Sequence, residues 1–317
     1  MRFTLLFLLA PVLVAQDVVK IWDAAPHNAF TDLVRFQGQL FCAFREASAH
    51  GVAFEGKVRV LRSRDGAAWE SAGLLATELG DVRDPHFALT PAGELMVVAA
   101  VALKPAGVHR HQTYVWLSRD GRDWGEPIAI GEPDYWLWRV VWHAGKAYGV
   151  GYPTNPAGRA ARLYVSEDGR RFRVLVESLP VEDSPNETGI AFLDDGAMLI
   201  LVRREAGTRS AVLLTARPPY TEFAAHDLGR RLGGPQLLRL PDGRLLAAGR
   251  IHPAGGSRTA LLWLNPAAKQ LEEFLVLPSG GDNSYPGLVA DDGAVLVSFY
   301  SSHEGKSAIY FARVKLP

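Results

Sequence analysis

One pattern recurs along the whole chain and limits what it can fold into: an apolar segment, a short polar turn carrying glycine, then a second apolar segment. It occurs in LVRFQGQLFCAFR around Gly38, FALTPAGELMVVAA around Gly93, VVWHAGKAYGVGY around Gly145, AFLDDGAMLILVRR around Gly196, LLRLPDGRLLAAGR around Gly243 and LVADDGAVLVSFYS around Gly293. Successive glycines are 55, 52, 51, 47 and 50 residues apart. Glycine supplies the positive φ of a tight reversal, so each segment reads as a β-hairpin. A unit of about 50 residues holding roughly four short strands is the size of one propeller blade, and blades bury their faces on one another. No stretch keeps a 3.6-residue apolar period over several turns, so helices are expected to be minor. The expected fold is all-β, a six-bladed β-propeller. An array of β-sandwiches is the alternative, but it gives no reason for the even spacing.

The first 15 residues read differently. Arg2 precedes an apolar run over residues 3–14, followed by Ala15, Gln16 and Asp17. A basic start, a short apolar stretch and a small residue before the cut describe a secretory signal, and the run is too short to span a bilayer. Residues 1–15 are therefore expected to be a signal peptide, and residues 16–317 a single propeller domain that is secreted or periplasmic. Lys+Arg and Asp+Glu both number 34, so no global field draws the chain to nucleic acid or an anionic membrane. The single cysteine, Cys42, cannot form an intramolecular disulfide, and no Cys/His spacing matches a structural zinc site. The chain carries no Walker loop, strand-linked GxGxxG or GxSxG elbow, so no cofactor is expected and serine-hydrolase chemistry is disfavoured. A monomer with neither a nucleic-acid nor a membrane partner is expected.

A second element repeats in phase with the first. Ser63-Arg64-Asp65-Gly66-Ala67-Ala68-Trp69, Ser118-Arg119-Asp120-Gly121-Arg122-Asp123-Trp124 and Ser166-Glu167-Asp168-Gly169-Arg170-Arg171-Phe172 share S-x-D-G-x-x-[W/F]. Asp and Ser can bond turn amides while the aromatic plugs a gap, which makes this a folding device. Residues 215–223 (TARPPYTEF) are the nearest remnant of a further copy.

In a propeller, equivalent positions of successive blades ring one axis. Seven places after the hairpin glycines stand Arg45, Ala100, Tyr152, Arg203, Arg250 and Tyr300. An unpaired buried guanidinium is costly, so Arg45, Arg203 and Arg250 at one register suggest a clamp for a carboxylate, with internal ion pairs as the alternative. On the opposite arm stand Asp32, Asp84, Arg139, Glu187, Gln236 and Tyr285. An acid, a tyrosine and these arginines around one mouth suit a glycosidase acting on an acidic glycan. A carboxylate nucleophile would be repelled by a carboxylate at the anomeric carbon, whereas a phenol would not. Tyr285 is the expected nucleophile and Glu187 its base. Trp136 and Trp138, beside Arg139, suit either a sugar platform or core packing. His109 and His111 read as surface residues, and His303-Glu304 as a loop at the rim.

These residues also carry a family resemblance, extending over nearly all of residues 17–317. Phe44-Arg45, Asn186-Glu187 followed by Asp194-Asp195-Gly196 and Arg203, Arg250 lying 35 residues before Tyr285, and Tyr285-Pro286-Gly287-Leu288 with Asp292-Gly293 and Tyr300 resemble the bacterial sialidase superfamily. The SGGDNSYPGL and SSHEGK stretches are similar to secreted sialidase-like proteins. The resemblance implies a six-bladed propeller with aspartate-box turns and a retaining mechanism. It also implies an acid/base residue in the loop after the first arginine. Here Glu46-Ala47 replaces the family's Ile-Pro, and residues 47–58 contain no aspartate. His50, Asp84 and Glu55 are the candidate proton donors, with His50 and Asp84 preferred. A glycan-binding propeller without catalysis, and a lyase or a neutral-sugar hydrolase on the same scaffold, are the alternative functions.

Overall fold

A computed structural model describes residues 16–51, 54–105, 107–154 and 160–317. The expected signal peptide therefore lies outside the described residues. Among them there is no helix, and the strands form six four-stranded antiparallel sheets. Five sheets follow chain order outward from the axis, starting at His27–Phe36, Gly80–Leu89, Tyr135–His143, Pro185–Phe192 and Gly233–Arg239. The sixth starts at Asn283–Asp291 and is completed on its outer edge by the chain's first described strand, Gln16–Trp22, paired with Ala308–Lys315. One end of the chain thereby closes the ring onto the other. The all-β six-bladed propeller is the observed fold.

Each hairpin glycine has the positive φ the turn demands, from 59° at Gly293 to 88° at Gly243. The second strand of each blade is buried on both faces, which is why it reads as an unbroken apolar run rather than an alternation. In blade 1, Phe41 and Ala43 pack on Val82 and Val97 of blade 2, whereas Leu40, Cys42 and Phe44 pack on Leu296 and Tyr300 of blade 6. Burying one such side chain contributes about 1.5–3 kcal/mol, so successive blade interfaces carry the stability.

The S-x-D-G turns share one bonding pattern. In each, the serine Oγ accepts from the glycine N–H, and the aspartate Oδ1 accepts from the two following amides, as in Gly121 N–H to Ser118 at 2.8 Å and Arg122 and Asp123 N–H to Asp120 at 2.9 Å. The turns also link blades: a Cβ on Gly121 would meet the Phe41 ring of blade 1 at 2.4 Å.

Every inner strand carries a β-bulge at the same height. Pairing jumps between Ala29 and Asp32, Arg83 and His86, Leu137 and Val140, Pro185 and Thr188, Gly233 and Gln236, and Ser284 and Gly287. The residue pairs so displaced are Phe30-Thr31, Asp84-Pro85, Trp138-Arg139, Asn186-Glu187, Gly234-Pro235 and Tyr285-Pro286. Proline lacks the N–H a regular ladder would need, so it fits these positions in three blades. Phe30, Asp84 and Tyr285 adopt φ values of 62°, 48° and 49°, a region that side-chain-bearing residues rarely occupy.

Gly121 and Gly145 both have positive φ, but nothing lies within 4 Å of a Cβ on Gly145. Gly121→Ala should therefore lower the unfolding free energy by about 1–3 kcal/mol more than Gly145→Ala, the cost of overpacking. Denaturant titration of both variants checks this; equal losses would show that the contact with Phe41 does not couple the blades.

Candidate functional site

The bulges bring Tyr285, Glu187 and Asp84, each with less than a tenth of its surface exposed, close enough to feel one another's charge at the end of the axis where the bulges lie, the mouth of the ring. The Tyr285 hydroxyl donates to Glu187 Oε1 at 2.6 Å. Glu187 Oε2 accepts from Arg203 Nη1 at 2.5 Å and from the Gly234 N–H at 2.8 Å, and the same Arg203 nitrogen donates to the Tyr285 oxygen at 3.0 Å. Gly234 has to lack a side chain here, because a Cβ would sit 3.0 Å from the Tyr285 ring. The Thr31 hydroxyl donates to the Tyr285 carbonyl at 2.8 Å and secures the strained backbone. Phe30 and Trp138 pack on the Tyr285 ring, with centroids 5.1 and 5.9 Å away.

The electrostatics separate the two carboxylates. Burial pushes Glu187 upward, but the Arg203 charge, the Tyr285 hydroxyl and the Gly234 amide outweigh it and hold Glu187 below the usual carboxylate range. Burial and the Glu187 charge raise the Tyr285 phenol well above its ordinary value, so it carries its proton toward Glu187. Asp84 is pushed up to about 7, first by burial and then by repulsion from Glu187, against the attraction of Arg83. An ionised carboxylate and a protonated one in the same site are the arrangement that general acid and base work requires.

Two of the three arginines, Arg203 and Arg250, converge on Tyr285, and Arg45 does not join them. Arg45, Arg203 and Arg250 do lie on the blade face that meets the following blade, in line with Phe41, Leu201 and Ala248. Arg45, however, is fully buried and sealed: Nε and Nη2 bond both oxygens of Asp81 at 2.8 Å, and Nη1 and Nη2 donate to the carbonyls of Ala49 and Gly51. Its expected part in a substrate clamp is corrected to a structural ion pair, because the inner strand of blade 2 supplies an aspartate opposite it. Arg203 stays at the mouth and also pairs with Glu205. Arg250 lies over the Tyr285 ring at 5.3 Å and donates to the Asn283 carbonyl and, at 3.0 Å, to the Tyr300 oxygen.

Other expected contacts also move. Arg139 is buried against Asp32 at 3.1 Å and lines an axial cavity of about 280 Å³ with Asp32, Phe87, Gln236 and Leu288. It is removed from the substrate-binding set because its bulge neighbour Trp138, not Arg139, takes the side toward Tyr285. Trp138 is itself buried, packed at tilted angles among the rings of His86, Trp136, Tyr152 and Tyr285, and so supports the nucleophile instead of offering a sugar platform. Tyr300 is buried too; its hydroxyl donates to Asp282 at 2.7 Å and accepts from Arg250, so it positions that arginine. His50 stands at the rim, its Nδ1 2.6 Å from Asp282. Glu55 is exposed, accepts from the Ser48 amide and hydroxyl, and is held below the carboxylate range by them, which unfits it as a proton donor. His111 packs on Trp136 and is partly buried; His109 is exposed beside Asp134.

Several contributors escaped the sequence reading. Arg83 lies over the Phe30 ring at 5.4 Å and borders Asp84. Asp282 and His27 complete the rim. Arg231 adds positive charge near Arg203 and Arg250, and these arginines, after burial, hold His252 down to about 4. Asp282 lies in the SGGDNSYPGL stretch, but nothing local in that stretch marks which side chain faces the mouth.

No family model matches the sequence, and no curated protein matches it. Solved structures do match in fold. A protein of unknown function from Dyadobacter fermentans superposes with a TM-score of 0.83 at 21% identity, covering 95% of this chain and 98% of that one. Trypanosoma rangeli sialidase, solved with the inhibitor DANA, gives 0.72 at 12% identity over 95% of this chain, which spans 60% of the sialidase. Penicillium chrysogenum α-L-arabinanase, solved with arabinobiose, gives 0.72 at 14% identity, covering 93% and 97%. At these identities the likeness is one of fold.

Removing one partner of a buried ion pair typically costs about 3–5 kcal/mol. Arg45→Met should lose stability on that scale by removing the two donors at 2.8 Å from buried Asp81, whose other guanidinium, Arg83, is 3.6 Å away, and Arg45→Met/Asp81→Leu should recover part of it. Chemical denaturation measures both, and a fully stable single variant would refute the closed pair.

Proposed function

We propose that this chain is a retaining glycosidase in which Tyr285 attacks the anomeric carbon, Glu187 accepts the phenolic proton and Asp84 protonates the departing glycosidic oxygen. The observation that carries this reading is the 2.6 Å bond from the Tyr285 hydroxyl to Glu187, whose negative charge is held by Arg203. A phenol is a weak nucleophile at neutral pH, and an adjacent ionised carboxylate is what activates it. In the second half-reaction water replaces the sugar on Tyr285, with Asp84 acting as base, so the anomeric configuration is retained. The acid that the loop after Arg45 lacks is thus supplied by the inner strand of blade 2, which favours catalysis over glycan binding alone.

The preferred substrate in this proposal carries an acidic group. Arg203 and Arg250 flank the nucleophile and Arg231 lies near them; burial first and then their charges hold His252 down to about 4, so three guanidiniums, two of them paired with carboxylates, stand where an anionic group can accept from them. A tyrosine nucleophile is consistent with this, since it brings no negative charge of its own toward an anion. A second reading, hydrolysis of a neutral sugar, is favoured by the loss of Arg45 to Asp81. The arabinanase likeness is compatible with it. An aryl glycoside of an ulosonic acid and an aryl arabinofuranoside, assayed side by side, separate the two.

With the cleaved substrate, Tyr285→Phe should abolish turnover and proton NMR of the first product should show the retained anomer; inversion would exclude the tyrosine as nucleophile. Because Asp84 must be protonated to act as acid, kcat/KM should fall as pH rises through about 7. Asp84→Asn should slow poor leaving groups by about 10²–10⁴-fold and remove that alkaline limb. An unchanged limb in the variant would assign the proton to another group.

A further inference from the structure

We propose that His27, His50 and Asp282 form a binding site for a divalent transition metal of the zinc class at the rim of the mouth. Blade 1 supplies both imidazoles, His27 at the start of its inner strand and His50 in the loop that leaves its second strand, and blade 6 supplies Asp282 at the entry to its inner strand. Both imidazoles approach the same carboxylate oxygen, His27 Nε2 at 3.0 Å and His50 Nδ1 at 2.6 Å from Asp282 Oδ2. All three ligand atoms lie within 4.8 Å of one another, and no other group of three or more His, Cys, Asp or Glu side chains does so among the described residues.

The spacing suits an ion. Zinc takes imidazole nitrogen and carboxylate oxygen at about 2.0–2.2 Å, which puts neighbouring ligand atoms roughly 3 Å apart. The two measured separations are close to that edge, so an ion can enter with small side-chain movement. Asp282 is already oriented for it: the Tyr300 hydroxyl occupies Oδ1 at 2.7 Å and leaves Oδ2 to the imidazoles. Such support of a ligating carboxylate is a usual part of metal sites. The Phe30 ring packs on His50 and on Tyr285, with centroids 5.3 and 5.1 Å away, and so fixes the site beside the mouth.

Two imidazoles and a carboxylate suit zinc, cobalt or nickel better than calcium or magnesium. Three protein ligands leave at least one coordination position open, and His50, whose side chain is 54% exposed, turns it toward solvent. A bound ion would place positive charge on the side of the mouth where Arg45 is locked away by Asp81, and could take a substrate oxygen there. Two features keep the affinity below that of a closed structural site. The buried His27 Nδ1 has no hydrogen-bond partner among the described residues to strengthen the ligand, and Arg250 lies 3.8 Å from Asp282 Oδ1.

The test needs no substrate. The full chain, stripped with a chelator, is titrated with Zn²⁺ by calorimetry and with Co²⁺ by visible absorption. One equivalent should bind and the cobalt form should show ligand-field bands. His50→Ala, at an exposed side chain, should fold as the parent does and weaken both signals by more than about 100-fold, beyond the loss typical of outer-shell changes. His27→Gln should do the same, and zinc should raise the melting temperature of the parent alone. Absence of one-equivalent binding up to about 1 mM metal, or equal affinity in parent and both variants, would overturn the site.

Discussion

The extra residue inserted at one height in every inner strand is the constraint on which the rest of this propeller depends. A regular ladder would alternate side chains between the two blade faces and aim few of them along the axis. The bulge breaks that alternation, so Tyr285, Glu187 and Asp84 come together from blades 6, 4 and 2. Its cost is visible as positive φ at Phe30, Asp84 and Tyr285. Strain of this kind persists only where the surroundings hold it, and the interlocked blades, together with the Thr31 bond to the Tyr285 carbonyl, do so.

The same blade face uses arginine in two different ways. Arg45 meets an aspartate from the following blade and becomes an interior pair with no exposed surface. Arg203 meets Glu187, which is shared with Tyr285, so part of its field falls on the phenol. Arg250 bonds a carbonyl and a tyrosine and has its nearest carboxylate, Asp282, 3.8 Å away, so its charge is paired more loosely than that of Arg45 or Arg203. What the next blade's inner strand presents therefore decides whether an arginine holds the fold together or faces a ligand. A buried pair contributes little net stability but is expensive to break, which suits a joint between blades.

Asp84 and Glu187 divide their roles by the same logic. Each is buried, and burial alone would raise both. Glu187 has a guanidinium, a hydroxyl and an amide bonded to it and stays ionised, whereas Asp84 has the more distant Arg83, with smaller help from Arg45 and His50, and faces the charge of Glu187. A propeller makes this asymmetry easy to build, because each blade brings one residue to the axis and its neighbours are chosen independently.

The six-bladed β-propeller, its hairpin turns and the S-x-D-G turns were legible in the sequence because they are local. Each depends on a glycine at the right φ and on apolar runs of strand length, and a repeat of about 50 residues multiplies a weak signal. Glu187, Tyr285, Arg203 and Arg250 were legible as well, through equivalent register from blade to blade. What register alone did not contain was the partner of each charge. Asp81 had no motif to mark it, yet it removes Arg45 from the mouth; Asp32 does the same to Arg139, and Asp282 meets His27 and His50 across more than 230 residues of chain. Sequence by itself determined where strands turn and which face the residues of the regular ladders take, since those follow from backbone geometry within a blade, but not which way the bulged residues point. Only the tertiary structure decided which charges are neutralised and which stay open, because ion pairs between blades depend on through-space distances that no spacing along the chain encodes.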